Sequence, residues 1–322
     1  MALALFASSE GKADASVLET GGSNLVAVDV HLEQLHLPGN WKKNDVFRTP
    51  ACQLQTIQPE IERQLKLMRK ARQEKLGLVL WFTNSTMDED CTGFLLNSAG
   101  GHLTPKVTGN LRQLIEVAAG LGFNEIQVRF APMGRNWPTQ WTTWKEDLFA
   151  ENWSVIESTV SALSDTGEPR IIYDLGVELG GLKAPGCSQC ETYVKRIWAK
   201  FNATFPQRES YGFSVAIAPG RVLALIQNLR EAGAMPTEIA IDTYDPQRPG
   251  IKIAKEEMQS AQVDLPILIQ ETLYNSPAMN KALREQAQLY HVRIRAIMQW
   301  PLTEGAKGQI SESSTPLYPY LP

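Results

Sequence analysis

No stretch of 18 apolar residues occurs in the chain, so no bilayer-spanning helix is expected. Positive charge is not in excess either. Lys and Arg number 31 against 35 Asp and Glu, a formal net charge of −4. Without a basic stripe, nucleic acid is not an expected partner. No Gly-X-Gly-X-X-Gly follows the first apolar run, which argues against a dinucleotide-binding open sheet. No repeat longer than a strand–helix unit and no low-complexity linker divides the 322 residues. The opening "MALALFASSEGKADAS" has a short apolar run and no basic flank, less than a signal peptide needs.

Cysteine is scarce: Cys52, Cys91, Cys187 and Cys190. "CSQC" has the spacing of a metal half-site, but Cys52 and Cys91 do not supply a second half of similar spacing. Two readings remain. One is a pair of disulfides, Cys187–Cys190 and Cys52–Cys91, in a secreted or periplasmic protein. The other is four free thiols in the cytoplasm. Asn-X-Ser/Thr triplets at Asn84, Asn152 and Asn202 decide nothing.

What is present is a regular series of apolar, β-branched runs. Eight occur, at 24–32, 76–84, 125–133, 170–178, 211–219, 237–245, 265–273 and 292–300. Their near-continuous apolar character predicts strands covered on both faces. Helical patterns fill the gaps, at 57–76, 108–122, 152–167, 190–206, 219–234, 252–262 and 276–291. A long loop precedes the first of them. With 43% hydrophobic residues, one large core is within reach. Strict alternation predicts an α/β fold, a single-domain (β/α)8 TIM barrel over 1–322. Residues 1–22 and 303–322 are expected to be peripheral tails.

Barrel chemistry gathers at the C-terminal strand ends. The predicted ends carry Asp29, His31 and Glu33, then Trp81 and Asn84, Arg129, Glu178, Asp242 with Tyr244, Glu271, and Trp300. "YDLGVE" and "PILIQE" both finish a buried run on Glu. Alternation predicts Asp174, Gly176 and Glu178 on one face, and Ile267, Ile269 and Glu271 on one face. Both Glu would then reach the barrel mouth, three strand–helix steps apart. A carboxylate pair so placed suits glycosidic bond cleavage, one group as proton donor and the other as nucleophile or base.

On these residues the chain resembles the clan of retaining (β/α)8 glycoside hydrolases that includes cellulase-like and β-galactosidase-like families. The resemblance implies Glu178 as acid/base at strand four and Glu271 as nucleophile at strand seven. It implies that Tyr244 hydrogen-bonds the nucleophile and that Trp300 floors the central sugar subsite. It departs at Val177, where the clan has Asn before the acid/base. No cofactor and no metal are implied; the partner is a carbohydrate.

Other residues have two readings. Trp137, Trp41 and Trp81 are placed to stack on sugar rings, whereas Trp141 and Trp144, at helical spacing, fit core packing. Asp174 and Asp242 are expected deeper in the barrel, paired with Arg129 or Arg295, as structure or as substrate contacts. The cluster Asp29, His31, Glu33 and His36 would suit a metal-dependent enzyme, and Val177 would suit a barrel that binds glycans without cleaving them. These are the two alternatives to a retaining glycosidase.

Overall fold

The computed structural model describes residues 21–25, 28–29, 47–48, 50–84, 91–92, 95–164, 167, 169–273 and 276–300. In chain order the strands are β1 (Gly22–Leu25), β2 (Val28–Asp29), β3 (Phe47–Arg48), β4 (Lys75–Thr83), β5 (Cys91–Thr92), β6 (Leu95–Asn97), β7 (Glu125–Pro132), β8 (Arg170–Asp174), β9 (Glu209–Gly212), β10 (Val215–Ala216), β11 (Ile239–Asp242), β12 (Ile267–Leu273) and β13 (Ile294–Trp300), and all but β2, β3, β5 and β6 build the barrel. Neighbours pair in parallel in the order β10-β11-β12-β13-β1-β4-β7-β8-β9. The two ends of that path, β9 and β10, are separated in the chain only by Phe213 and Ser214. The sheet therefore curls until its ends meet in one stretch of chain, as a (β/α)8 barrel requires.

Seven helices surround the strands among the described residues: α1 (Pro50–Lys70), α2 (Pro105–Gly120), α3 (Glu146–Ala162), α4 (Cys190–Thr204), α5 (Arg221–Glu231), α6 (Ile251–Ser260) and α7 (Pro277–Leu289). Helix starts are written locally. Thr104 and Ser276 accept backbone N–H bonds from Val107 and Met279, each followed by Pro at the first helical position, where the missing N–H costs nothing. Helix α1 begins at Pro50, earlier than expected, and absorbs the end of the predicted loop.

Alternation sorts the strands. Leu76, Leu78, Leu80 and Phe82 of β4, and Ile126, Val128 and Phe130 of β7, join Ile61, Leu65 and Met68 of α1 in the main core between sheet and helices. Each such side chain contributes roughly 1.5–3 kcal/mol on burial. The opposite set fills the barrel in layers. At the N-terminal end Glu125 takes Lys75 at 3.3 Å, Arg170 at 3.0 Å and Arg295 at 2.7 Å, and Arg295 also pairs with Glu238. Above this plug lie Ile172, Tyr211, Ala240, Leu268, Ala296 and Met298. Above them sits Arg129, and at the mouth Val79 and Ala131 with Trp81, Val177 and Trp300.

Three sequence expectations are corrected. The first barrel strand ends at Leu25, and Asp29 belongs to β2 (Val28–Asp29), which pairs antiparallel with β3 (Phe47–Arg48) in a separate small sheet. Strand β8 ends at Asp174, not Glu178. Ile267 and Ile269 do not share a face with Glu271: both pack in the outer core. Register shifts against β11 and β13 insert an extra residue near Gln270. Such a bulge re-aims the side chain after it, and Glu271 turns inward.

Cys187 and Cys190 form a disulfide at the start of α4. Cys52 is also disulfide-bonded; the side chain of its expected partner, Cys91, lies outside the described residues. No helix among the described residues is long and apolar enough to cross a membrane.

Candidate active site

Arg129 is the centre of the upper barrel. Strand β7 carries it inward at the same parity as Glu125 and Gln127, and its side chain is wholly buried. Its Nε donates to Asp174 at 3.1 Å, its Nη1 to Asn24 at 3.0 Å and its Nη2 to Ser214 at 3.3 Å. Nη1 also lies 2.8 Å from Glu271 Oε1. That contact is an ion pair and not an aligned hydrogen bond, because Oε1 has no hydrogen-bond partner by direction. A buried guanidinium is tolerable only with such partners. Burial works against its charge, but Glu271, Asp174 and Asp242 together hold its pKa well above the usual value.

Glu271 is buried, and its other oxygen, Oε2, accepts the Tyr244 hydroxyl at 2.5 Å. Tyr244 lies two residues past β11 and is partly open to solvent. Burial, then the nearby charge of Glu271, raises its phenol pKa, so it stays a donor to the carboxylate at all working pH.

Glu178 stands on a turn beyond β8, in the left-handed region at φ 56°. Three residues, Ser214, Phe130 and Arg221, fix that turn. Ser214 Oγ accepts the Glu178 N–H at 2.9 Å; the Val177 N–H donates to the Phe130 carbonyl at 2.9 Å; Arg221 Nη2 donates to the carbonyls of Glu178 at 2.7 Å and Gly180 at 3.0 Å. Gly181 is needed there. It has φ 67°, and a Cβ would sit 1.9 Å from the Arg221 carbonyl oxygen. Although Glu178 as a residue is open at the mouth, desolvation of its carboxyl and then the charge of Glu271 raise its pKa; Arg129 and Arg221 oppose them.

Glu178, Asp242 and Glu271 each place a carboxylate oxygen within 4.8 Å of the others. Three hard oxygen donors would suit a cation, but Arg129 already supplies positive charge at Glu271. Asp242 is fully buried, 3.9 Å from Arg129 Nη2. The expected alternative partner, Arg295, lies at the other end of the barrel with Glu125 and Glu238.

The mouth brings together Trp81, Val177 and Trp300, all half-buried, over Val79 and Ala131. Asn84 is drawn elsewhere: its Nδ2 donates to Glu151 of α3 at 2.7 Å, and its backbone N–H to Asn136. Trp137 is half-buried between two short turns after β7 and packs on the main core. Trp141 and Trp144 pack against each other, Trp141 on Tyr193 of α4 and Trp144 on Phe149 of α3; they pack as expected, but from the loop before α3 and not from a helix. Trp41, His31, Glu33 and His36 lie outside the described residues, as does the side chain of Asp29. Sequence reasoning missed Asn24, Ser214 and Arg221. For the first two the signal was a small polar residue inside an apolar run, at "SNLV" and "FSVA". Arg221 gave no signal.

No protein-family model matches the sequence, and no curated relative matches it. Solved structures do match. An exo-β-1,4-mannosidase from Opitutaceae bacterium strain TAV5 aligns with a TM-score of 0.53 at 13% identity, over 95% of this chain and 58% of that one. The chain thus spans little more than half of that enzyme's length. A GH5_18 protein from Bifidobacterium longum subsp. infantis aligns with a TM-score of 0.54 at 12% identity, over 78% and 67%. One from Bifidobacterium longum subsp. longum ATCC 55813, solved with Manβ1-4GlcNAc, gives 0.53 at 12%, over 94% and 76%. At these identities the likeness is one of fold: the chain is a (β/α)8 barrel like those of glycoside hydrolases.

Proposed function

We propose that the protein is a glycoside hydrolase that cleaves a polysaccharide or oligosaccharide by a retaining double displacement. The observation that carries this reading is the approach of Glu178 and Glu271, oxygen to oxygen within 4.8 Å, at the C-terminal mouth of the barrel. Retaining pairs stand about 5–5.5 Å apart, and inverting pairs leave room for a water at roughly 6.5–9.5 Å.

The roles follow from the surroundings. Glu271 rests between the Arg129 guanidinium and the Tyr244 hydroxyl, which together fix its position and aim it. It attacks the anomeric carbon as the bond to the leaving oxygen breaks. Glu178, whose pKa is raised by desolvation and then by Glu271, is the proton donor to that oxygen. As a carboxylate it then takes a proton from the incoming water, which displaces Glu271 from the sugar. Trp300, Trp81 and Val177 offer an apolar wall to the ring, and Trp137 stands further out. Asp242 reaches the substrate only through the pair. The neighbours named above make β-mannosides the first substrates to try. Paired cysteines fit a secreted or periplasmic protein.

Turnover on a panel of β-linked oligosaccharides and polysaccharides, whose leaving alcohols need a proton, tests the reading. Cleavage that falls by at least about 10²–10⁴-fold in Glu178→Gln, and is abolished in Glu271→Gln, is expected. Undiminished cleavage in either variant overturns it. A second reading, a barrel that binds glycans without cleaving them, is favoured by Val177, an apolar side chain beside Glu178 where the resembled clan has an amide. Binding on the same panel without turnover would select it.

A further inference from the structure

Asp242 ends β11 with its side chain fully buried, and neither carboxylate oxygen has a hydrogen-bond partner. A buried carboxylate without donors is far costlier than a buried neutral acid. The nearest cation does not serve it. Arg129 spends its nitrogens on Asp174, Asn24, Glu271 and Ser214, and approaches Asp242 only to 3.9 Å. Arg221 of α5 is turned to the carbonyls of Ala216, Glu178 and Gly180. The other titratable groups around Asp242 are Glu271 on β12, Asp174 at the end of β8, Glu178 on the turn beyond it, Tyr211 on β9 and Tyr244 just beyond β11. None of them offers positive charge.

We propose that Asp242 is a positioning residue that carries a proton at rest, a neutral acid wedged between Glu178 and Glu271 that leaves the Arg129 charge to Glu271 and Asp174. Burial, then the charge of Glu271, hold its pKa well above the ordinary value, against the pull of Arg129. A neutral Asp242 spares Glu271 a second negative charge beside it and leaves the Arg129 ion pair to the carboxylate that would attack the sugar. That use rests on the glycosidase reading; the protonation does not.

The test reads protonation directly. In protein labelled with carbon-13 at the Asp carboxyl carbons, one resonance should keep the position of a protonated acid at about pH 7, far above the ordinary Asp range. It should vanish in Asp242→Asn. Stability gives an independent sign. The folded protein binds this proton more tightly than the unfolded chain, so native stability falls as pH rises above the ordinary Asp pKa. Asp242→Asn removes that loss. Its melting temperature should therefore gain on the wild type from about pH 4 to about pH 7. An Asp242 resonance in the carboxylate range at neutral pH, or a variant that loses ground as pH rises, overturns the proposal. If the variant does not fold, the wild-type spectrum decides, and no protonated Asp carboxyl at neutral pH sinks the idea. Neither readout needs turnover, so a protein without glycosidase activity leaves the test intact.

Discussion

At the scale of single residues, Tyr244 and Glu178 make separable contributions. The Tyr244 hydroxyl donates to an ionised partner, and hydrogen bonds to charged groups contribute about 1.5–3 kcal/mol. Tyr244→Phe is therefore expected to lower kcat/KM by about 10–100-fold while leaving the fold intact by circular dichroism. Glu178 must be protonated to act as acid. Because its pKa is raised, activity should fall on the alkaline side only as pH passes through that raised value. Glu178→Gln should erase this limb, and the rate left should depend strongly on leaving-group acidity. A profile with an unchanged alkaline limb in Glu178→Gln would assign the limb to another group. Residue types at run ends were legible here: Glu178, Glu271, Tyr244, Arg129 and Trp300 were all readable as candidates. Ser214 left only the weak mark of a small polar residue inside an apolar run, and Arg221 left none, because it acts on the backbone around Glu178 and a backbone contact leaves no side-chain pattern.

At the scale of elements, the reasons behind two readable residues proved different from the rule that pointed to them. Strict alternation led to Glu271, yet the alternation breaks at Gln270, and a bulge delivers the carboxylate to Arg129. A bulge has no dependable sequence mark, since it is set by register against both neighbouring strands. Glu178 is likewise delivered by a turn and not by β8. The Gly pair after it was the legible part: Gly181 is forced by φ 67° and by the Arg221 carbonyl. Gly181→Ala is expected to destabilise the protein by at least about 1–3 kcal/mol, read by urea unfolding, and to lower kcat through the displaced Glu178. Full activity with wild-type stability would show that the turn has room the structure denies it.

At the scale of the whole molecule, the barrel holds two charged layers separated by an apolar one. Arg295, Glu125, Glu238 and Lys75 close the N-terminal end; Arg129 with its carboxylates occupies the C-terminal end; Ile172, Tyr211, Ala240, Leu268, Ala296 and Met298 lie between. The architecture was legible because eight apolar runs alternate with helical patterns. The layering was not, since inward charges such as Glu125 and Arg295 look like strand-edge polarity when each strand is read alone. Breaking the lower layer should cost stability without touching chemistry. Arg295→Met leaves Glu125 and Glu238 short of a buried partner and is expected to cost about 3–5 kcal/mol by denaturant unfolding. Its kcat should stay at the wild-type value below the melting transition.

The central claim is that Glu271 forms a bond to the sugar. Incubation with 2-deoxy-2-fluoro glycosyl fluorides, mannosyl first, followed by mass spectrometry of the digested protein, tests it most directly. The fluorine slows both steps, and the reactive leaving group restores the first, so a covalent glycosyl-enzyme accumulates. The account predicts one added fluorosugar on the peptide that contains Glu271, and none in Glu271→Gln. Turnover of the matching natural glycoside with no adduct, or an adduct on another residue, would contradict it.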